Sequence, residues 1–206
     1  GSALFREATG EAPLALSPEF QGLRLSTADL NGDGYPDLVV SQIGTHAHND
    51  YTQDTRQRRL LLNQQGMGWE DVSESSGLFT NASGEQGHAA AIHIFGDVDN
   101  DGDLDSFSGV YTDRSRSDDP GDRSQIHLND GAGHFTPADP SELAIDQGYA
   151  TSGATFLDFN SDGALDLWVV GFYREYGASY AAEQDRLYKG RGDGTFVEVT
   201  GSKGLK

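Results

Sequence analysis

Three short acidic segments carry carboxylate and amide side chains at regular intervals. They occupy residues 29–37, 97–105 and 158–166, and each has Asp or Asn at positions 1, 3, 5 and 9 with Gly at position 6. Oxygens on alternate residues of a tight loop suit a hard divalent cation, and the Gly permits the sharp bend. The spacing therefore predicts three calcium sites. The predicted ligands are the side chains at positions 1, 3, 5 and 9 and the carbonyl at position 7, from Asp29, Asn31, Asp33, Tyr35, Asp37, Asp97, Asp99, Asp101, Asp103, Asp105, Asp158, Asn160, Asp162, Ala164 and Asp166.

The loops begin like an EF-hand but do not end like one. An EF-hand places a bidentate Glu at position 12, whereas this chain has Val40, Ser108 and Val169 there. The residues that follow each loop are largely β-branched or aromatic, and the stretch 154–157 before the third loop has the same character, which is typical of strands. The sequence therefore predicts that each loop joins two β-strands.

Catalysis by these carboxylates is the less favoured interpretation. Paired acidic residues serve many hydrolases, but a bound divalent cation keeps such groups ionised and unavailable as general acids. The chain has no nucleophile-elbow, zinc-protease or phosphate-binding motif. We therefore predict a non-enzymatic chain. His46 and His48 leave open a transition-metal site in a polar loop, although solvated histidines are the simpler interpretation.

Composition limits the partners. The formal net charge of −19 argues against nucleic acid and anionic membranes as binding surfaces. No apolar run approaches 18 residues, so we expect no membrane insertion. The 27 glycines and 10% aromatic residues favour many short strands joined by tight turns, and with no cysteine a disulfide framework is excluded.

A second motif recurs with the acidic loops. It begins with an aromatic residue at Phe5, Trp69, Phe135 and Phe196, at separations of 64, 66 and 61 residues. Each period contains two strands flanking the acidic loop (A and B), a long connection, a third strand (C), a glycine turn and a fourth strand (D) at the aromatic residue. Four-stranded units that stack on neighbours are typical of a propeller, so we predict an all-β propeller made of four-stranded blades. The predicted repeats of this single propeller segment are 5–68, 69–134, 135–195 and the start of another at 196–206.

Together these motifs resemble the FG-GAP/VCBS repeat family. The resemblance rests on the acidic loop, the Asn-x-Gly-x-Gly-x-Phe turn at 129–135 and the Phe-Val-Glu-Val-Thr strand at 196–200 with its following Gly-Leu. This family includes the propeller heads of integrin α-subunits and many secreted bacterial and extracellular-matrix proteins. The resemblance implies calcium-binding hairpins between strands A and B of a β-propeller.

The number of predicted strands bears on ring closure. The chain supplies one strand D followed by three complete blades, whereas propellers close with about 4–8 blades. We therefore expect either part of a longer propeller, which we favour, or a ring shared between chains. The open blade edges of such a part would favour self-association.

The connections between strands B and C, at about 42–58, 109–124 and 171–185, are candidates for ligand binding. They are long for hairpin connections and rich in Arg and Tyr, residues that are enriched at binding hot spots. The alternative, to which we give equal weight, is a set of solvated connections whose arginines offset the negative charge of the surface. The candidate binding residues are Tyr111, Arg114, Tyr173, Arg174 and Tyr176.

These observations predict a non-catalytic, secreted, cell-surface or periplasmic propeller segment that uses calcium structurally. We expect it to bind a protein or glycan, in adhesion for example, through the face that carries the B–C connections. Two alternatives stay open: the propeller portion of a secreted polysaccharide-degrading enzyme, and a self-assembly module.

Overall fold

The regular elements that the computed structural model describes are short β-strands and one short 3-10 helix. The structure describes residues 24–41, 58–88, 90–110, 123–139, 143, 145, 149–175 and 179–203. The strands are β1 (Arg24–Ala28), β2 (Asp37–Ser41), β3 (Arg58–Asn63), β4 (Trp69–Asp71), β5 (Ala90–Gly96), β6 (Asp105–Val110), β7 (Gln125–Asn129), β8 (Phe135–Pro137), β9 (Thr151–Leu157), β10 (Asp166–Gly171), β11 (Tyr173–Glu175), β12 (Ser179–Ala182), β13 (Arg186–Gly190) and β14 (Phe196–Glu198). A short 3-10 helix, Gly201–Lys203, follows β14.

Twelve of these strands form three antiparallel four-stranded sheets, which we call blades 1, 2 and 3. Their strand orders are β1-β2-β3-β4, β5-β6-β7-β8 and β9-β10-β13-β14. Each acidic loop joins the first two strands of its blade, as predicted. The all-β, four-stranded prediction is therefore confirmed, whereas the repeat boundaries and the extra strand near Phe5 stay predictions because Phe5 lies outside the described residues.

The long connection after β10 contains secondary structure of its own. It contains a two-stranded hairpin, β11 with β12, in which Tyr173 pairs with Ala182 and Glu175 pairs with Ser179. This hairpin was not predicted, because its strands of three and four residues lack a clear apolar alternation. Part of the connection predicted at about 171–185 is thus held by backbone pairing.

The blades stack through their first strands and through two apolar clusters. Strand β1 contacts β5, and β5 contacts β9. A four-stranded sheet cannot cover both of its own faces, so burying them against neighbours is the source of its stability. One cluster joins blades 1 and 2, and it comprises Leu30, Val39, Leu60, Leu62, Leu78, Phe79 and Phe135. The other joins blades 2 and 3, and it comprises Val98, Phe107, Ile126, Leu143, Ile145, Tyr149, Leu167, Val169, Tyr188 and Phe196.

The hydroxyl residue that ends the aromatic motif has a specific role. The Leu60 amide donates to Ser73 Oγ at 3.0 Å, and the Leu187 amide donates to Thr200 Oγ1 at 3.0 Å. In each case the hydroxyl takes over the pairing of strand C where strand D has ended. Asp139 stands at the corresponding position of the middle repeat.

Gly77 allows the end of blade 1 to approach blade 2 closely. Its φ is +76°, and a Cβ built there would lie 2.1 Å from the carbonyl oxygen of Phe135. Beside it, the Phe135 amide donates to the Ser76 carbonyl at 2.6 Å. Any larger residue at this position would push the segment around Gly77 away from Phe135 in blade 2.

Blade 2 contains a buried polar layer next to this contact. Ser108 Oγ lies 3.1 Å from His93 Nδ1 and 3.1 Å from His127 Nδ1. The Nε2 atom of His127 lies 3.0 Å from the Thr80 carbonyl and 2.9 Å from Gln125 Nε2. Because burial disfavours the imidazolium form, it lowers the pKa of His127 to about 3 and that of His93 well below its usual 6.5. The positive charge of Arg58 and the neighbouring His88 act in the same direction on His93.

We expect this layer to make folding stability depend on pH through histidine. A histidine whose folded pKa is depressed stabilises the fold above its unfolded pKa of about 6.5, and this contribution is lost as pH falls toward the folded value. His127→Gln should be less stable than the wild type at pH 7.5 because buried hydrogen bonds are lost. The difference in unfolding free energy between the two proteins should narrow by about 2 kcal/mol at pH 5.0. Only the wild type has a histidine at position 127 that takes up a proton on unfolding.

Urea denaturation in chelator at the two pH values measures this gap. Taking the difference between the two proteins removes the titration of the carboxylates, which both share. A gap that stays constant between pH 7.5 and 5.0 would show that His127 does not set the acid sensitivity.

Candidate metal centres

The first aspartate of each acidic loop folds the loop around its own carboxylate. In blade 1, Asp29 Oδ1 accepts from the Asp33 amide at 3.1 Å, and Asp29 Oδ2 accepts from the Gly34 amide at 2.8 Å. The corresponding bonds are 3.1 and 3.1 Å in blade 2 and 3.2 and 3.0 Å in blade 3. Three sequences that differ at several positions thus fold into the same loop.

Positions 3 and 5 continue the pattern with turns closed by side chains. Their Oδ1 atoms accept from the amides two residues later, at 3.3 Å for Asp99 and 3.0 Å for Asp101. The glycine at position 6 has the positive φ that the sequence predicted, +101° at Gly102. Position 4 is also left-handed, with φ of +61° at Asn100 and +60° at Ser161. The backbone therefore turns the short acidic side chains toward one another.

The aspartate at position 9 is fully buried and joins two separate parts of its blade. Asp105 Oδ2 accepts from the Val98 amide at 2.9 Å, and Asp105 Oδ1 accepts from the Asn129 amide at the end of strand C at 2.9 Å. Asp37 does the same at 2.8 and 2.8 Å, and Asp166 does so at 2.9 and 2.9 Å. Each of these predicted ligands therefore also links the acidic loop to strand C by hydrogen bonds.

Blade 2 brings its acidic side chains closest together. Asp97, Asp99 and Asp105 each place a carboxylate oxygen within 4.8 Å of the others, and within the described ranges they are the group of three that could hold a metal ion. Burial raises the pKa of Asp105 to about 6, and burial followed by the charge of Asp101 raises that of Asp99. Carboxylates held together at such a cost are suited to a divalent cation, which offsets their repulsion. The donor set of blade 2 therefore fits a hard metal ion.

The other two loops hold the same residue positions with different surroundings. Position 3 is an amide in both, Asn31 in blade 1 and Asn160 in blade 3. In blade 3 the Lys189 ammonium lies 2.8 Å from Asp162 Oδ2. This contact raises the pKa of Lys189 and lowers that of Asp162. Lys189 was not among the predicted site residues, although it stands immediately before the end of strand C, where blades 1 and 2 have Leu62 and Leu128.

Neighbouring loops are connected from blade to blade. Asn129 Nδ2 donates to the Leu30 carbonyl in the loop of blade 1 at 2.9 Å and to the Leu104 carbonyl in its own loop at 3.1 Å. Asn100 Nδ2 donates to the Gly192 carbonyl at 3.1 Å, and the Gly194 amide donates to the Val98 carbonyl at 3.1 Å. The glycine turn of each following blade thus rests on the acidic loop of the blade before it.

The predicted ligand-binding residues are only partly within the described chain. Tyr173 and Arg174 lie on β11, and the structure describes their backbone only. Tyr111, Arg114 and Tyr176 lie outside the described residues, as do His46 and His48. A shared surface formed by these residues therefore stays a prediction.

The two roles within one loop can be separated by substitution. Asp105→Asn replaces a buried acceptor by an NH₂ group facing a backbone N–H, and we expect it to cost about 1–3 kcal/mol of unfolding free energy even in chelator. Asp101→Asn changes an exposed side chain by the same chemical step, so in chelator it should cost less than about 0.5 kcal/mol. Urea denaturation of the two variants in chelator makes the comparison. Equal losses in both would contradict the structural role of position 9.

Comparison with known proteins supports the repeat assignment. The model of the FG-GAP repeat matches residues 22–42, and that of the FG-GAP-like repeat matches residues 97–169. No curated protein matches the chain. FG-GAP repeats form propeller-like modules that are mainly structural or binding units and that typically occur in extracellular proteins. In the described part of the chain, no helix is both long and apolar enough to cross a membrane. Three blades of the same construction and two matching models support one assignment: residues 22–42 and 97–169 are FG-GAP repeats, and the chain is assigned to that repeat family.

Proposed function

We propose that the protein is a calcium-stabilised binding module of the extracellular space, with one calcium site in each acidic loop. The observation that carries the proposal is the cluster of three carboxylates from Asp97, Asp99 and Asp105. Among the described residues, no Lys or Arg side chain forms an ion pair with this cluster, in contrast to Lys189 beside the acidic loop of blade 3. Calcium accepts six to eight oxygens at about 2.3–2.6 Å, and carboxylates, amide oxygens and backbone carbonyls all serve. The residues that would hold it are those of positions 1, 3, 5, 7 and 9.

The role of calcium in this proposal is structural. The position-9 aspartate connects its loop to strand C, and the following blade rests on the same loop, so an ion that fixes the loop stabilises both contacts. The same ion would offset part of the net charge of −19, which otherwise opposes compaction. An affinity on the order of 10⁻⁴–10⁻³ M suits extracellular modules.

We further propose that the module binds a protein or glycan partner through the B–C connections. Support comes from their length and from their Tyr and Arg content, and in blade 3 from the β11–β12 hairpin, which gives one connection a defined backbone. Binding of immobilised acidic and neutral glycans by the wild type and by a Tyr173→Ala, Arg174→Ala double variant tests this. Loss of binding in the variant with an unchanged melting temperature supports this face, and equal binding contradicts it.

Calcium should raise thermal stability measurably. Ligand at 5 mM stabilises a site with a Kd of 10⁻⁴–10⁻³ M by about 1–2 kcal/mol, so several occupied sites should raise the melting temperature by several degrees. Magnesium at the same concentration is the charge-matched control and should have a smaller effect, because it demands compact octahedral geometry. Asp101→Asn should lose part of the calcium effect. A melting temperature that is equal in chelator and in calcium would refute the proposal.

A further inference from the structure

The acidic loop of blade 3 differs from the other two by a cation that the chain itself supplies. Lys189 extends from β13 and places its ammonium 2.8 Å from Asp162 Oδ2. The Asn160 side-chain amide donates to the same oxygen at 3.0 Å. A position-5 carboxylate that is expected to face a metal ion is thus already bound by two donors from the protein.

The matching positions in the other blades carry no such group. The residue before the end of strand C is Leu62 in blade 1 and Leu128 in blade 2, and both are apolar partners of the inter-blade clusters. Loop 1 has the same count of aspartates as loop 3, with Asn31 at position 3, so the lysine is the principal difference in charge between these two loops. Loop 2 has acidic residues at all five odd positions.

We propose that Lys189 is an internal counter-ion that makes the third loop the weakest calcium site of the three. This inference rests on the proposed calcium function. To bind calcium, loop 3 must break the Lys189–Asp162 pair and tolerate an ammonium beside a divalent cation, whereas loops 1 and 2 meet neither cost. The module then has two sites that fill first and a third that fills only at higher calcium.

Each loop contains its own reporter of occupancy. The amides of Gly34, Gly102 and Gly163 donate to the first aspartate of their loops at 2.8, 3.1 and 3.0 Å. Their NMR signals in a calcium titration of ¹⁵N-labelled protein therefore follow the three sites separately. In the wild type we expect Gly163 to respond at a calcium concentration at least about fivefold higher than Gly34 and Gly102.

Substitution of Lys189 tests the cause of this difference. Lys189→Met should move the Gly163 midpoint to lower calcium by about fivefold or more while leaving those of Gly34 and Gly102 unchanged. Lys189→Gln is a second neutral variant with the same expectation, and Lys189→Arg keeps the charge and should behave like the wild type. Lys203→Met is the matched control, because the Lys203 ammonium lies near the same loop, 5.4 Å from the centre of the Phe159 ring. Among the described residues it forms no ion pair with a carboxylate of that loop.

The outcomes distinguish this inference from the proposal on which it rests. If Gly34 and Gly102 respond and Gly163 responds equally early in the wild type, or is unmoved by loss of the Lys189 charge, the counter-ion role is refuted and calcium binding stands. An equal shift in Lys203→Met also refutes it, since net charge alone would then explain the effect. If none of the three glycines responds to calcium in any variant, calcium binding itself fails.

Discussion

The position-9 aspartate is the constraint on which each blade depends. Its carboxylate is buried, and its two oxygens accept backbone amides from the acidic loop and from the end of strand C, at 2.8–2.9 Å in all three blades. A buried carboxylate is costly unless its oxygens are hydrogen-bonded, and these bonds satisfy backbone donors that strand pairing leaves over. One side chain thus holds the acidic loop, the end of strand C and the glycine turn that follows it in fixed relative positions.

The hydrogen bonds of the position-9 aspartate also determine how neighbouring blades contact each other. Because strand C is held at its end, the glycine turn that follows is brought onto the acidic loop of the preceding blade, where Asn129 and Asn100 make the connecting hydrogen bonds. Blade 3 has Gly190 at the place of Asn129, and a Cβ there would lie 2.1 Å from the Leu165 carbonyl oxygen. Leu165 belongs to the acidic loop of the same blade, so this close approach corresponds to the bond from Asn129 to Leu104 within blade 2. Blade 3 meets the acidic loop of blade 2 through Asn100 and Gly194 instead.

The sequence predicted the elements well because the acidic loops and aromatic residues mark fixed points in every repeat. The flanking strands, the left-handed glycine at position 6 and the four-stranded order all followed from local spacing. Lys189, the double use of Asp105 and the hydroxyl role of Ser73 did not, because each depends on a partner in another strand. The β11–β12 hairpin escaped prediction for a different reason, since short polar strands carry no periodic signal.

In the calcium-stabilised module that we propose, one aspartate in each loop serves the backbone and the metal ion at once. The most direct measurement is a crystal structure grown in calcium, with the ion identified by its anomalous signal. We expect an ion in loop 2 with oxygens of Asp97, Asp99 and Asp105 at about 2.3–2.6 Å, while Asp105 still accepts from the amides of Val98 and Asn129. A loop 2 without an ion, or an ion bound only after Asp105 has left those two amides, would contradict it.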